Sequence, residues 1–180
     1  MAERDHEHSK TALHWAAENG HRDIALLLLD CDSNLAHQDQ YGETALHYAA
    51  ESGYADIVDA FLKCGPDLSL RDDRGRTALR CARDNYHLEV VGMMLEQWDG
   101  TKEEAEEKDS QGKSLAHWAA EAAIIDVLKK LNSLKLDISA FAPDQRRWTP
   151  LQYARMQSDP AVVELMTQQS IKPGEFSGAE

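Results

Sequence analysis

Eight histidines and 32 carboxylates in a chain of 180 residues raise metal binding and acid–base hydrolysis first, and both depend on spacing. His6-Glu7-His8 is the close histidine pair; two imidazoles without a third fixed ligand bind a metal only weakly. His14, His47 and His117 instead recur one per sequence period. Helices that pack against each other lie ~10 Å apart, too far for a shared metal with ligands ~2 Å away. His21 and His87 fall in turns between helices. The cysteines have no zinc-type spacing, and no G-x-S-x-G elbow or H-E-x-x-H helix occurs. Gly112-Lys113 lacks the upstream glycine of a phosphate loop. The sequence therefore assigns no catalytic residue, metal or cofactor, and the expectation is a protein that is not an enzyme.

A different chemistry is written in the arginines. Arg71, Arg74, Arg76, Arg80 and Arg83 fall within thirteen residues of a chain whose net charge is −13. Guanidinium groups bind carboxylates in bidentate fashion, so an acidic peptide is one ligand they suit. The alternative is local neutralisation by Asp72, Asp73, Asp84 and Glu51. A second cluster, Phe141, Arg146, Arg147 and Trp148, with Tyr41 on an equivalent segment, has the residue types that dominate binding hot spots. Packing of Phe141 and Trp148 around a two-residue insertion is the competing explanation.

The acidic balance opposes nucleic acid and anionic membranes, whose binders carry a basic face. No apolar run approaches the ~18 residues of a membrane span, and Met1–His6 has no secretory leader pattern. Cytoplasm or nucleus is the expected location. Cys31, Cys64 and Cys81 are too few for a disulfide framework, and Cys31 and Cys64, one period apart, are expected to lie beyond bridging distance.

The elements that must position these residues repeat. Thr11-Ala-Leu-His14, Thr44-Ala-Leu-His47, Thr77-Ala-Leu-Arg80, Ser114-Leu-Ala-His117 and Thr149-Pro-Leu-Gln152 are spaced by 33, 33, 37 and 35 residues. A fixed period of that size means a stack of supersecondary units. In the second, Asp39-Gln-Tyr-Gly42 is a turn and Thr44 a helix N-cap. A first helix with small residues Ala49 and Ala50 runs to Ser52-Gly53, and a second presents Ile57, Val58, Phe61 and Leu62 on one face until Cys64-Gly65-Pro66. Two such short helices are marginal alone and gain stability by stacking on their neighbours. Trp15, Tyr48, Trp118 and Tyr153, with Cys81 in the third unit, share one place on the first helix and are expected to pack in the inner layer.

The stretch from Asp39 to Tyr54 resembles the ankyrin repeat, as do His14-Trp-Ala-Ala-Glu-Asn-Gly-His21 and Gly112-Lys-Ser-Leu-Ala-His-Trp-Ala-Ala-Glu121. The resemblance implies an all-α ankyrin-repeat solenoid of about five helix-turn-helix units with short β-hairpin fingers, in which His14, His47 and His117 bond the neighbouring finger. The units are read as 6–38, 39–71, 72–104, 109–141 and 144–170, the last a C-terminal cap. Residues 105–108 are an insertion in a helical or looped charged run, and 171–180 a disordered tail. Arg155 stands where earlier units have alanine, and Arg147 where they have glycine, both signs of a polar outer face. In the first unit Ser9 replaces that glycine, and Leu13, Trp15 and Ala16 lack a preceding unit, so either residues 1–10 cover them or a longer protein does.

The resulting expectation is a non-enzymatic interaction module that binds a protein or peptide, an acidic one where the arginines act, on its concave finger face. Tyr41, Glu43, Arg71, Arg74, Arg76, Asn85, Phe141, Arg146 and Trp148 are the candidate contacts. The chain is expected to be monomeric or weakly self-associating through the apolar patch of the first unit. Two alternatives stand beside it: a regulatory or targeting segment of a larger signalling protein or enzyme, and a weak metal or small-molecule site around His6 and His8.

Overall fold

The computed structural model describes residues 9–29, 35–134, 136 and 141–168. His6, His8, Cys31 and the tail 171–180 lie outside the described residues, and so do the sequence readings that rest on them. The described residues form helix pairs: α1 (Ala12–Glu18) with α2 (Arg22–Leu29), α3 (Ala45–Ser52) with α4 (Ala55–Leu62), and α5 (Ala78–Asp84) with α6 (Leu88–Glu96). A short α7 (Lys102–Glu106) precedes α8 (Leu115–Glu121) with α9 (Ile125–Ser133), then α10 (Pro150–Gln157) with α11 (Pro160–Gln168). No described helix is long and apolar enough to cross a membrane.

The contacts divide the chain into two bodies, Met1–Trp98 and Asp99–Glu180. In the first, α1, α3 and α5 stack as one layer, and α2, α4 and α6 as a second. In the second body α8 packs on α10 and α9 on α11, while α7 lies against α8 and buries Ala105. Close approach in the stacked layer is set by alanine: Ala16, Ala17, Ala49, Ala50, Ala82, Ala119, Ala120 and Ala154 are all buried. The second-helix stripe is buried as its spacing requires, with Ile57, Val58 and Phe61 fully enclosed.

Two backbone corners recur in every pair. Ser9, Gly42, Gly75, Gly112 and Arg147 on the turns have positive φ, as do Gly20, Gly53, Tyr86, Ala123 and Ser158 after the first helices. The second corner reverses the chain so tightly that a Cβ on Gly53 would overlap the His87 ring of the next pair. Residues with a side chain at these corners carry the left-handed penalty of about 1–2 kcal/mol.

The β-hairpin fingers implied by the resemblance are not seen as strands among the described residues. An isolated antiparallel bridge joins Arg71 and Thr77, and among the described residues no strand extends from it. Each finger is a tight turn, closed at Asp39 by bonds of 3.0 Å from its amide to the Glu43 carbonyl and 3.2 Å from the Gly42 amide back to its own carbonyl. The chain enters α3 directly at Thr44, leaving no length for a second rung.

The ends differ. Arg155 is exposed where Ala17, Ala50 and Ala120 are buried. At the other end Trp15 is 44% exposed, whereas Tyr48, Trp118 and Tyr153 at the same place are buried. The inner-layer expectation thus holds for three of the four aromatics and fails at Trp15, because among the described residues no helix pair covers that side of α1. Leu13, expected in the same open patch, is 4% exposed and belongs to the core.

Candidate functional site: the turn edge

The turns that precede α3, α5, α8 and α10 are built on one aspartate each. Asp39 Oδ1 accepts the amides of Tyr41 (2.8 Å) and Glu43 (3.0 Å), and its Oδ2 accepts the Tyr48 hydroxyl at 2.8 Å. Asp109 takes the amides of Gln111 and Lys113, both at 2.9 Å, and the Trp118 indole N–H. Asp144 takes the Trp148 amide at 2.9 Å and the Tyr153 hydroxyl at 2.7 Å. Asp72 lacks an aromatic donor because Cys81 occupies that place. There the Arg76 guanidinium fills Oδ2 at 2.8 Å, while the amides of Arg74 and Arg76 bind Oδ1. Burial opposes the charge on Asp72, yet the Arg76 amide and guanidinium hold its carboxyl below the usual range. Burial and the Asp39 carboxylate push the Tyr48 phenol up, keeping its proton in place as the donor.

Histidines tie one turn to the next. His47 Nδ1 accepts the Thr44 amide at 3.2 Å and lies 2.8 Å from the Thr44 hydroxyl, which leaves Nε2 as the protonated nitrogen, donating to the Arg76 carbonyl at 3.1 Å. His14 does the same toward the carbonyls of His37 and Glu43, and His117 toward Trp148. Burial lowers the affinity of all three imidazoles for a second proton, His117 to about 4. The turns also bond directly: Asp73 N–H to the Tyr41 carbonyl in the first body and Gln145 N–H to the Gln111 carbonyl in the second, each at 2.9 Å.

Two lysines at the position just before the helix cap bridge neighbouring pairs. Lys113 is 1% exposed, with its ammonium 4.4 Å from the Trp118 ring centre, 4.6 Å from that of Tyr153, and paired with Glu121. Lys10 sits likewise against Trp15 and Tyr48 and pairs with Glu18 at 2.7 Å. An ammonium held over two ring faces and neutralised by a carboxylate satisfies the charge without water. Among the described residues no group of three His, Cys, Asp or Glu side chains is placed to hold a metal.

Within this frame the candidate contacts separate. In the first body Tyr41, Glu43, Arg71, Arg74 and Arg76 lie on two adjacent turns, while Asn85 is at the far end of α5, donating to the Cys81 carbonyl at 2.9 Å. Tyr41 is 48% exposed and Arg74 exposed. Arg71 bonds the Gly75 carbonyl at 2.6 Å. Arg76 is turned inward, bound by Asp72, by Glu43 at 3.2 Å and by Glu51 at 3.7 Å. Arg80 pairs with Asp84 at 2.9 Å and Arg83 is buried, so local neutralisation accounts for Arg76 and Arg80. In the second body Arg146 is exposed at a turn tip, and Phe141 and Trp148 are half-buried, with the Trp148 ring 5.2 Å from that of Tyr153. The spacing argument missed the aspartates and the caged lysines. Their signal was present in Asp39, Asp72, Asp109 and Asp144, each five residues before the helix-capping Thr or Ser.

The sequence matches the family described as "Ankyrin repeats (3 copies)" over residues 2–72 and 56–142. The chain belongs to the ankyrin-repeat family. No curated protein matches it significantly. Ankyrin repeats are generally protein–protein interaction modules. The last helix pair, α10 and α11, lies beyond the matched residues, yet its turn keeps the ankyrin-type frame: the Asp144 amide bonds, the left-handed corner at Arg147 and the Thr149 cap.

Proposed function

We propose that this ankyrin protein is a non-enzymatic module whose protein partner docks along the turn edge and the adjoining inner-helix ends. One contrast carries the reading. The repeated turn residues, Asp39, Asp72, Asp109 and Asp144 with Thr44, Thr77 and Ser114, are buried and bonded within the repeat frame. The residue two places after each aspartate is held in that frame by its backbone, while its side chain differs every time: Tyr41, Arg74, Gln111, Arg146. Residues that vary over a fixed, rigid backbone can change specificity without disturbing the fold. Tyrosine and arginine at such places supply buried area and directed hydrogen bonds. Of the candidate contacts, Arg76 acts by holding Glu43 and Glu51 in position, and Asn85 by closing α5.

The experiment is affinity capture from a cell extract with the intact chain and with a Tyr41→Ala, Arg74→Glu, Arg146→Glu variant, after their melting temperatures are shown to agree. A protein retained by the intact chain and lost by the variant supports the reading. Retention by both places the binding surface elsewhere.

A further inference from the structure

Apart from Arg71 and Arg83, the described cations of this acidic chain fall into two groups. Lys10, Arg22, Lys63, Arg76, Arg80, Lys102, Lys113, Lys129 and Lys130 are each within ion-pair distance of a carboxylate. Arg74, Lys108, Arg146, Arg147 and Arg155 are exposed and make no ion pair among the described residues. With 32 carboxylates against 19 lysines and arginines, a solvent-facing cation without a partner is the unusual state. In the second body three of them are gathered on two adjoining turns. Lys108 immediately precedes Asp109, Arg146 and Arg147 form the tip of the following turn, and those turns are joined by Gln145 bonds to the carbonyls of Gln111 and Ser110, each 2.9 Å. The turn aspartates cannot neutralise them, because Asp109 and Asp144 are buried and their oxygens are taken by amides, the Trp118 indole and the Tyr153 hydroxyl. Glu107 is the other carboxylate adjacent to Lys108 in sequence. Half-buried Phe141 and Trp148 flank the same turn.

Building on the interaction reading, we propose that Lys108, Arg146 and Arg147, with Phe141 and Trp148, form a docking site for an acidic peptide segment of a partner protein that also carries apolar side chains. Guanidinium groups offer paired N–H donors matched to carboxylates, and the aromatic edges provide the apolar contact that separates a peptide from a bare polyanion. The net charge of −13 opposes every anionic ligand at long range, but charges more than about 8 Å away are largely screened at physiological salt, so the local cations and the aromatic edges decide what binds.

The test is a fluorescence-anisotropy titration of the full chain with a labelled peptide of alternating glutamate pairs and leucines. Its lysine counterpart, labelled single-stranded DNA and anionic phospholipid vesicles are run beside it. The acidic peptide should bind. Lys108→Glu, Arg146→Glu, Arg147→Gly should weaken it about tenfold or more; glycine is chosen at 147 because that residue has positive φ. Lys63→Glu with Lys129→Glu, outer-helix cations already paired with Asp59 and Asp126, should change binding less than about twofold. Equal weakening by both variants, or tighter binding of DNA or vesicles, overturns the inference. If the lysine peptide binds and shifts the amide resonances of Gln145–Trp148, the acidic partner is wrong while the interaction module stands. If no probe shifts those resonances or binds, both fall.

Discussion

Acidification should weaken this fold through its buried imidazoles, and His117→Gln should remove the share of that sensitivity that His117 carries. His117 is fully buried, its Nδ1 accepts the Ser114 amide at 3.1 Å, and its Nε2–H donates to the Trp148 carbonyl at 3.1 Å. A second proton would land on Nδ1, remove the hydrogen bond it accepts from the Ser114 N–H and place a charge out of water. Asp109 and Asp144 favour that charge and Lys113 opposes it, but burial dominates and sets the affinity at about 4 against an ordinary 6.5. The unfolded chain therefore binds more protons between those values. Stability is complete above pH 6.5 and declines as the pH falls toward 4. The full effect is about 3 kcal/mol, at about 1.4 kcal/mol per pH unit, and about 2 kcal/mol of it is lost by pH 5. Glutamine already does this job at the same place in the last pair, where Gln152 Oε1 accepts the Thr149 amide at 2.7 Å. Urea unfolding at pH 7.5, 6, 5 and 4.5 should show the variant losing about 2 kcal/mol less than the parent between pH 7.5 and 5. Identical pH profiles would refute the assignment of the imidazole as a buried neutral coupler.

Other perturbations follow from the same geometry. Ala123→Gly, which relieves a positive-φ corner, should raise stability by about 1 kcal/mol in urea melts. Gly53→Ala should lower it by about 2 kcal/mol or more, and part of the loss should disappear in a His87→Ala background, since the new Cβ meets the His87 ring; additive losses would show that the two do not touch. Arg76→Gln, leaving Asp72, Glu43 and Glu51 without their shared cation, should cost about 2 kcal/mol, whereas Arg74→Gln should fall within about 0.5 kcal/mol of the parent. Lys113→Met should retain packing against Trp118 and Tyr153 but strand Glu121, so a double variant with Glu121→Gln should recover part of the lost melting temperature.

Helix pairs were legible from the sequence because their signals are local: a Thr or Ser cap, paired alanines, a glycine corner and an apolar stripe at helical spacing. The left-handed corner survived its residue changes to Tyr86, Ala123 and Ser158, since the tight reversal between the two helices of a pair needs that backbone path whatever the side chain. The aspartates were visible as letters, but their role depends on a side-chain oxygen reaching residues nine positions on, Tyr48, Trp118 and Tyr153, which no local pattern encodes. The arginine cluster shows the same limit. Spacing put five guanidiniums together, and only the fold shows Arg76 directed at Asp72, Glu43 and Glu51, with Arg80 on Asp84. Strands were expected from the family resemblance, and the turn chemistry of Asp39 and its equivalents closes the chain before a ladder can extend.

The claim that the turn edge is the working surface is tested most directly by a photo-crosslinking amino acid placed singly at Tyr41, Arg146, Lys63 and Lys129 in the intact protein, irradiated in extract of its own cells. The account predicts a discrete crosslinked partner from the turn positions 41 and 146, and none from the outer-helix positions 63 and 129. A discrete partner captured from 63 or 129 while the turn positions stay silent would contradict it.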